Sequence, residues 1–143
     1  MSARRYNQHC GIAHALDLVG QRWSLLIIRE LLTGPKRFKH LKAGLEGISS
    51  NLLSTRLKEL QDRGIIEQRT LDPPASTEAY VLTELGSDLE PVLLELGRWG
   101  IKTLGRPDPE RSFHPPWLLL SLEGYFVPER AEGIREVYQF EIG

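Results

Sequence analysis

The sequence is short of the residues that several functional classes depend on, with 1 Cys, 1 Met, 3 Trp, 4 Tyr and 4 Phe in 143 residues. A single Cys makes no internal disulfide, and so few Met and aromatic side chains leave little material for a Met-rich groove or an aromatic binding sheet. No apolar run approaches the roughly 18 residues that cross a bilayer. The opening stretch MSARRYNQHC lacks the apolar segment of an export signal, so the cytoplasm is the expected location and no membrane is expected as a partner. Also missing are a Ser/His/Asp spacing, a Gly-rich phosphate loop and an H-E-x-x-H motif, so no enzymatic activity and no cofactor are expected. Cys10 with His14 is the one nucleophile and base pair in view. His9, Cys10 and His14 would hold a metal only across a dimer, because no second Cys/His cluster completes the set, and none is expected.

What is present suits a globular domain: 41% of residues are hydrophobic and 26% charged. The net charge of -1 conceals an uneven distribution. Residues 1–69 carry 12 Lys and Arg against 6 Asp and Glu, and residues 70–143 carry 6 against 13. A basic half joined to an acidic half suits a polyanion partner for the first and a separate task, such as self-association, for the second, although two solvated faces of opposite sign would look the same.

Hydrophobic spacing organises the chain. Residues 12–19 place Ile12, Ala15, Leu16 and Val19 on one helical side, ended by Gly20. Residues 23–32 are apolar nearly all round and should form the central buried helix, stopped by Gly34-Pro35. Phe38, Leu41 and Leu45 mark a short helix. Ser49 is placed to cap the next one and Gly64 to close it in a left-handed conformation. Between them Leu52, Leu53, Leu57 and Leu60 face inward, while Ser50, Asn51, Ser54, Thr55, Lys58 and Gln61 face out. Residues 65–69 and 77–82 are strand-like around Asp72-Pro73-Pro74, which predicts a β-hairpin. Thr83 caps a long helix striped by Leu85, Leu89, Val92, Leu93, Leu96 and Leu104, with a kink or restart expected at Pro91.

Three segments follow from this. Residues 1–105 form the main domain, 106–116 a Pro-rich linker, and 117–143 a tail. The tail reads as an apolar helix over 117–126, a short helix over 128–134, and a half-buried strand through Tyr138, Phe140 and Ile142.

Helix, helix, short helix, capped helix, hairpin, long helix is the order of a winged helix-turn-helix, mainly α with a small β-hairpin wing. Such a domain needs a narrow helix held rigidly enough to enter the major groove of double-stranded DNA. Small polar side chains at Ser49, Ser50, Asn51, Ser54 and Thr55 let residues 49–63 approach base edges, and Lys58 can reach phosphate. Arg37, Lys39, His40 and Lys42 lie on the preceding helix, where backbone contacts fall. For Arg56 two roles stay open, a phosphate contact or an ion pair with Glu30 or Glu59. Arg69 and the wing residues Ser76 and Thr77 complete the candidate DNA-binding set.

The stretch from Cys10 to Trp23, with Arg37-Phe38, Gly47-Ile48-Ser49, Leu53 to Leu60, Gly64-Ile65, Tyr80 to Thr83 and Gly86, resembles the HxlR-type branch of the MarR-like winged-helix regulators over about residues 8–104. The resemblance implies a bacterial, dimeric transcription regulator whose N-terminal and long C-terminal helices build the dimer. The residues agree: Leu89, Val92, Leu93, Leu96, Trp99 and Ile101 exceed what a small core can cover, and Gly97 and Gly100 permit close helix approach. A C₂ pair on a pseudo-palindromic operator, with half-sites about 34 to 36 Å apart, is the expected complex. Coverage of that surface by residues 117–126 of the same chain is the alternative. A winged helix serving as a protein-interaction module is the alternative function, which the basic first half disfavours.

Two further features accompany the resemblance. Some HxlR-type proteins sense oxidants or electrophiles through an N-terminal cysteine, which makes Cys10 a candidate redox sensor and a redox or small-molecule compound a candidate effector. His9, His14, Arg4 and Arg5 would favour its thiolate, whereas Gly11 stands where sensing members often have proline and no resolving cysteine is present. An inert, partly buried cysteine is the competing expectation. The tail, through the stretch from Phe126 to Ala131, is similar to the opening of a sterol-carrier-like domain and stops after its first strand.

Overall fold

The structure, a computed structural model, describes residues 5–141. Its elements run α1 (Gly11–Val19), α2 (Ser24–Leu32), α3 (Phe38–Gly44), α4 (Ser50–Asp62), β1 (Ile66–Thr70), β2 (Glu78–Leu82), α5 (Glu84–Ser87), α6 (Glu90–Leu104) and α7 (Pro115–Tyr125), with a 3₁₀ turn at Pro128–Arg130. The result is a mainly helical winged helix-turn-helix with one antiparallel hairpin. The chain divides into two compact units, one up to Leu93 and one from Leu94 onward.

The core of the first unit follows from the apolar spacing. Ile27, Ile28 and Leu31 from α2 are buried together with Leu41 of α3, Leu45 and Ile48 of the following turn, Leu53, Leu57 and Leu60 of α4, and Ile65 and Ile66 at the hairpin base. Leu89 and Leu93 pack against this cluster from the end of the unit. As expected, α2 is the central helix, but Trp23 lies outside it as the N-cap, in a left-handed conformation at φ 81°. Its indole sits beneath the Arg22 guanidinium at 5.5 Å.

The caps form where the side chains allow them. The Ser49 hydroxyl accepts from the Leu52 N–H at 3.1 Å, and Thr83 accepts from the Gly86 N–H at 3.1 Å. The restart near Pro91 is realised as two helices, α5 and α6, with Pro91 in the first turn of the second, where a missing N–H costs nothing.

The hairpin pairs Ile66 with Leu82 through to Thr70 with Glu78. Lys36 adds a short third rung, exchanging backbone hydrogen bonds with Tyr80 at 3.1 and 2.8 Å. This bridge ties the wing to the segment that leads into α3.

Gly86 is set by close approach: a Cβ there would lie 2.1 Å from the Ile65 carbonyl oxygen, which already accepts from Thr83. Backbone, not a movable side chain, occupies the space. Gly86→Ala is therefore expected to cost about 1–3 kcal/mol or more of unfolding free energy, read as a lower urea midpoint. An unchanged midpoint would mean that α5 shifts freely.

Three expectations are corrected. On α1 Val19 is buried as expected, but Ala15, Ile12 and Leu16 on the same side are exposed, because only the last turn of the helix, through Leu18 and Val19, packs against the core cluster. The helix expected over 128–134 shortens to the single 3₁₀ turn. No strand forms at Tyr138 and Phe140, whose side chains are exposed; among the described residues no other strand lies alongside to pair with them. Ile142, the last residue of that expected strand, lies outside the described residues.

Within the second unit, Arg98 Nε donates to the Gly124 carbonyl, and Gly124 lies against Leu94. Trp99, Ile101 and Leu104 nevertheless remain exposed on α6, as do Leu119, Leu122 and Tyr125 on α7. No helix among the described residues is long and apolar enough to cross a membrane.

Candidate nucleic-acid interface

α3, the turn through Gly47 and Ile48, and α4 form the helix-turn-helix. Leu53, Leu57 and Leu60 recur at i, i+4 and i+7, so the side of α4 opposite them faces solvent. Ser50, Asn51, Ser54, Thr55 and Lys58 are all exposed there, and Ser49 begins the helix at its exposed N-terminus. Thr55 donates to the Asn51 carbonyl at 2.9 Å, one turn back. Lys58 Nζ lies 3.1 Å from Asp62, an exposed i, i+4 pair of small energetic weight that a competing anion can open.

The preceding elements supply positive charge. Lys39 and His40 on α3 are exposed, Lys42 is half-buried, and Arg37 is the half-buried N-cap. Among the described residues no carboxylate forms an ion pair with Arg37, Lys39 or Lys42. On the wing, Arg69 is exposed and pairs with Glu67 at 2.5 Å. Ser76 is exposed at the tip with φ 38°, and Thr77 is half-buried.

Arg56 resolves differently from its exposed neighbours. Its side chain is 18% exposed, with Nη1 2.8 Å from Glu59 and Nε donating to the Arg22 carbonyl at 2.9 Å. Of the two carboxylates considered for it, Glu59 is the partner, while Glu30 pairs with Arg29 at 2.7 Å. Arg63 passed unnoticed in the sequence. It donates to the Leu18 carbonyl at 2.5 Å and to Gln21 Oε1 at 3.0 Å. Its seven-residue spacing from Arg56 was the available signal.

Cys10 is exposed rather than partly buried, because it precedes the first turn of α1 as its N-cap. The backbone N–H groups of Ala13 and then Ile12 favour the thiolate and lower its pKa from the ordinary thiol value. Iodoacetamide alkylation of the folded protein is therefore expected to reach half its limiting rate at a lower pH than alkylation in urea. Coincident profiles would remove the helix terminus as a cause. His9 and His14 are exposed nearby, and no group of three or more His, Cys, Asp or Glu among the described residues is arranged to hold a metal.

Comparison with known proteins places this geometry. The HxlR-like helix-turn-helix family matches residues 18–108. The transcriptional regulator YodB of Bacillus subtilis is 41% identical over 85 residues, covering 59% of this chain and 76% of YodB. Its reduced form superposes with a TM-score of 0.58 at 36% identity, over 71% of this chain and 100% of that one. A quinone-bound form of YodB aligns at 37% identity with a TM-score of 0.55, over 64% and 96% of the two chains. The redox regulator HypR in its reduced form gives a TM-score of 0.59 at 28% identity, over 65% and 92%. These relatives are regulators rather than enzymes. The chain belongs to the HxlR-like helix-turn-helix family and is a transcriptional regulator built on a winged-helix domain.

Proposed function

We propose that the protein binds a pseudo-palindromic DNA operator as a homodimer. The observation that carries this reading is the outer face of α4: a capped helix presenting Ser50, Asn51, Ser54 and Thr55 to solvent, preceded by cations that no carboxylate among the described residues neutralises. In this arrangement α4 enters the major groove and Asn51 is the side chain best suited to a bidentate base contact. Lys58, Lys39, His40 and Arg37 meet phosphate, and Arg69 and Ser76 reach the flanking backbone. Residues 1–105 are the DNA-binding part, 106–116 the linker and 117–143 the tail, and the protein works in the cytoplasm.

The dimer is supported by the apolar side chains left exposed on α6, Val92, Leu96, Trp99, Ile101 and Leu104. A Cβ at Gly97 or Gly100 would meet nothing within 4 Å, so another helix has room to approach closely. A redox or electrophilic effector acting at Cys10 is supported by the exposed, acidified thiol and by the quinone-bound and redox forms of the relatives.

Titration of a labelled duplex from the gene's own upstream region, at two salt concentrations with scrambled competitor, tests the DNA reading. Tight, salt-sensitive binding of two protomers that scrambled DNA fails to displace is the expected result, with altered base preference in Asn51→Ala. Equal competition by scrambled DNA would leave a winged helix that serves a protein partner. Loss of binding on peroxide treatment, reversed by a thiol reductant and absent in Cys10→Ser, is the expected signature of the effector.

A further inference from the structure

Arg56 on α4 and Arg63, the C-cap residue that follows it, sit seven residues apart, two helical turns and about 10 Å along one flank. That flank lies beside the leucine stripe, not on the exposed polar face. Both guanidinium groups reach backbone carbonyls at the junction of α1 and α2: Arg56 donates to Arg22 at 2.9 Å, and Arg63 to Leu18 at 2.5 Å. Glu59, between them on the same flank, takes Arg56 Nη1 at 2.8 Å, and the Gln21 side chain takes Arg63 at 3.0 Å. Leu18 lies in the last turn of α1, and Arg22 lies in the turn before α2.

We propose that Arg56 and Arg63 are positioning residues for DNA recognition, holding α4 at a set angle by clamping it to the α1–α2 junction, and that neither contacts phosphate. The inference rests on the DNA reading above and assigns these two cations a task different from that of Lys39 and Lys58. Apolar packing alone lets a helix roll or slide by small amounts, because it is non-directional. Two charge-assisted donors two turns apart, each aimed at a fixed carbonyl, remove both freedoms. Arginine suits the task because its planar head donates to a carbonyl and to Glu59 or Gln21 at once, which a lysine ammonium on a flexible stem does less rigidly.

The consequence separates positioning from contact. A lost phosphate contact makes the dependence of affinity on salt shallower, by about 0.9 in log–log slope for each contact. A lost clamp leaves the number of phosphates engaged unchanged and weakens the base readout that needs a fixed helix angle.

The test uses the full chain, a duplex enriched by the wild-type protein from a random pool, and a scrambled duplex of the same length. Arg56→Gln and Arg63→Gln are expected to bind the enriched duplex about tenfold or more weakly, the equivalent of losing one base readout. Affinity for the scrambled duplex and the salt slope on both should stay at wild-type values. Arg63→Lys should recover part of the loss. A shallower slope in either Gln variant, or equal losses on both duplexes, would make that arginine a phosphate contact and overturn the proposal. Wild-type affinity for the enriched duplex alongside a lowered melting temperature would reduce the clamp to a purely structural role and overturn it too. Should a Gln variant fail to melt cooperatively, Arg63→Lys and Glu59→Gln, which weaken the clamp without removing it, are read by the same criteria. A wild-type protein that enriches no sequence overturns the DNA reading itself and this inference with it.

Discussion

Leu57→Ala is expected to lower the unfolding free energy by about 2–5 kcal/mol, a large share of what a domain of this size has. Leu57 is 1% exposed and lies midway along the inward stripe of α4, between Leu53 and Leu60. The surrounding cluster draws on α2, α3 and the hairpin base, so no single element can move to fill the void. Removing the side chain forfeits its transfer free energy and leaves most of the cavity open. Urea unfolding followed by circular dichroism measures the effect. A cost below about 1 kcal/mol would mean that the core collapses around the site, and α4 would then be far less rigidly supported than the packing indicates.

The second large effect concerns DNA. Lys39→Glu is expected to weaken binding to any duplex by about a hundredfold or more near physiological salt, and to make the salt dependence shallower. Lys39 is exposed on α3 and forms no ion pair among the described residues, so the substitution removes no internal bond. In a dimer two contacts are lost and two repulsive charges are introduced. The thermal melt should stay close to wild type, because surface substitutions away from special features usually stay within about 0.5 kcal/mol. Fluorescence anisotropy across a salt series reads both affinity and slope. Unchanged binding would place the DNA face elsewhere on the molecule.

Both effects rest on positions that are legible in the sequence. The inward position of Leu57 and the outward position of Lys39 are both periodic properties, legible because a helix repeats every 3.6 residues whatever it packs against. The Ser49 and Thr83 caps and the turn at Gly64, with φ 70°, belong to the same class. Each depends on a side chain or a glycine acting within a few residues of itself.

The clamp was not legible in this way. Arg56 bonds a residue 34 positions away and Arg63 one 45 positions away, and each arginine occurs in a pattern that would equally suit solvent or phosphate. The buried part of α1 is decided in a related way. Ile12, Leu16 and Val19 share one side by periodicity, yet of these only Val19, in the last turn, reaches the core, and the core's position decides that. The strand expected at Tyr138 and Phe140 rested on alternation alone, and alternation makes a strand only where another strand offers its hydrogen bonds.

The order of the elements, the helix caps, the wing and the polar outer face of α4 follow from local sterics and short-range hydrogen bonds, and so are written in the chain itself. Long-range packing settled that Trp23 ends outside its helix, that Cys10 lies exposed ahead of α1, and that Arg56 of α4 and its C-cap Arg63 turn to backbone carbonyls. Those outcomes depend on which surfaces distant segments bring together, and side-chain periodicity carries no record of that.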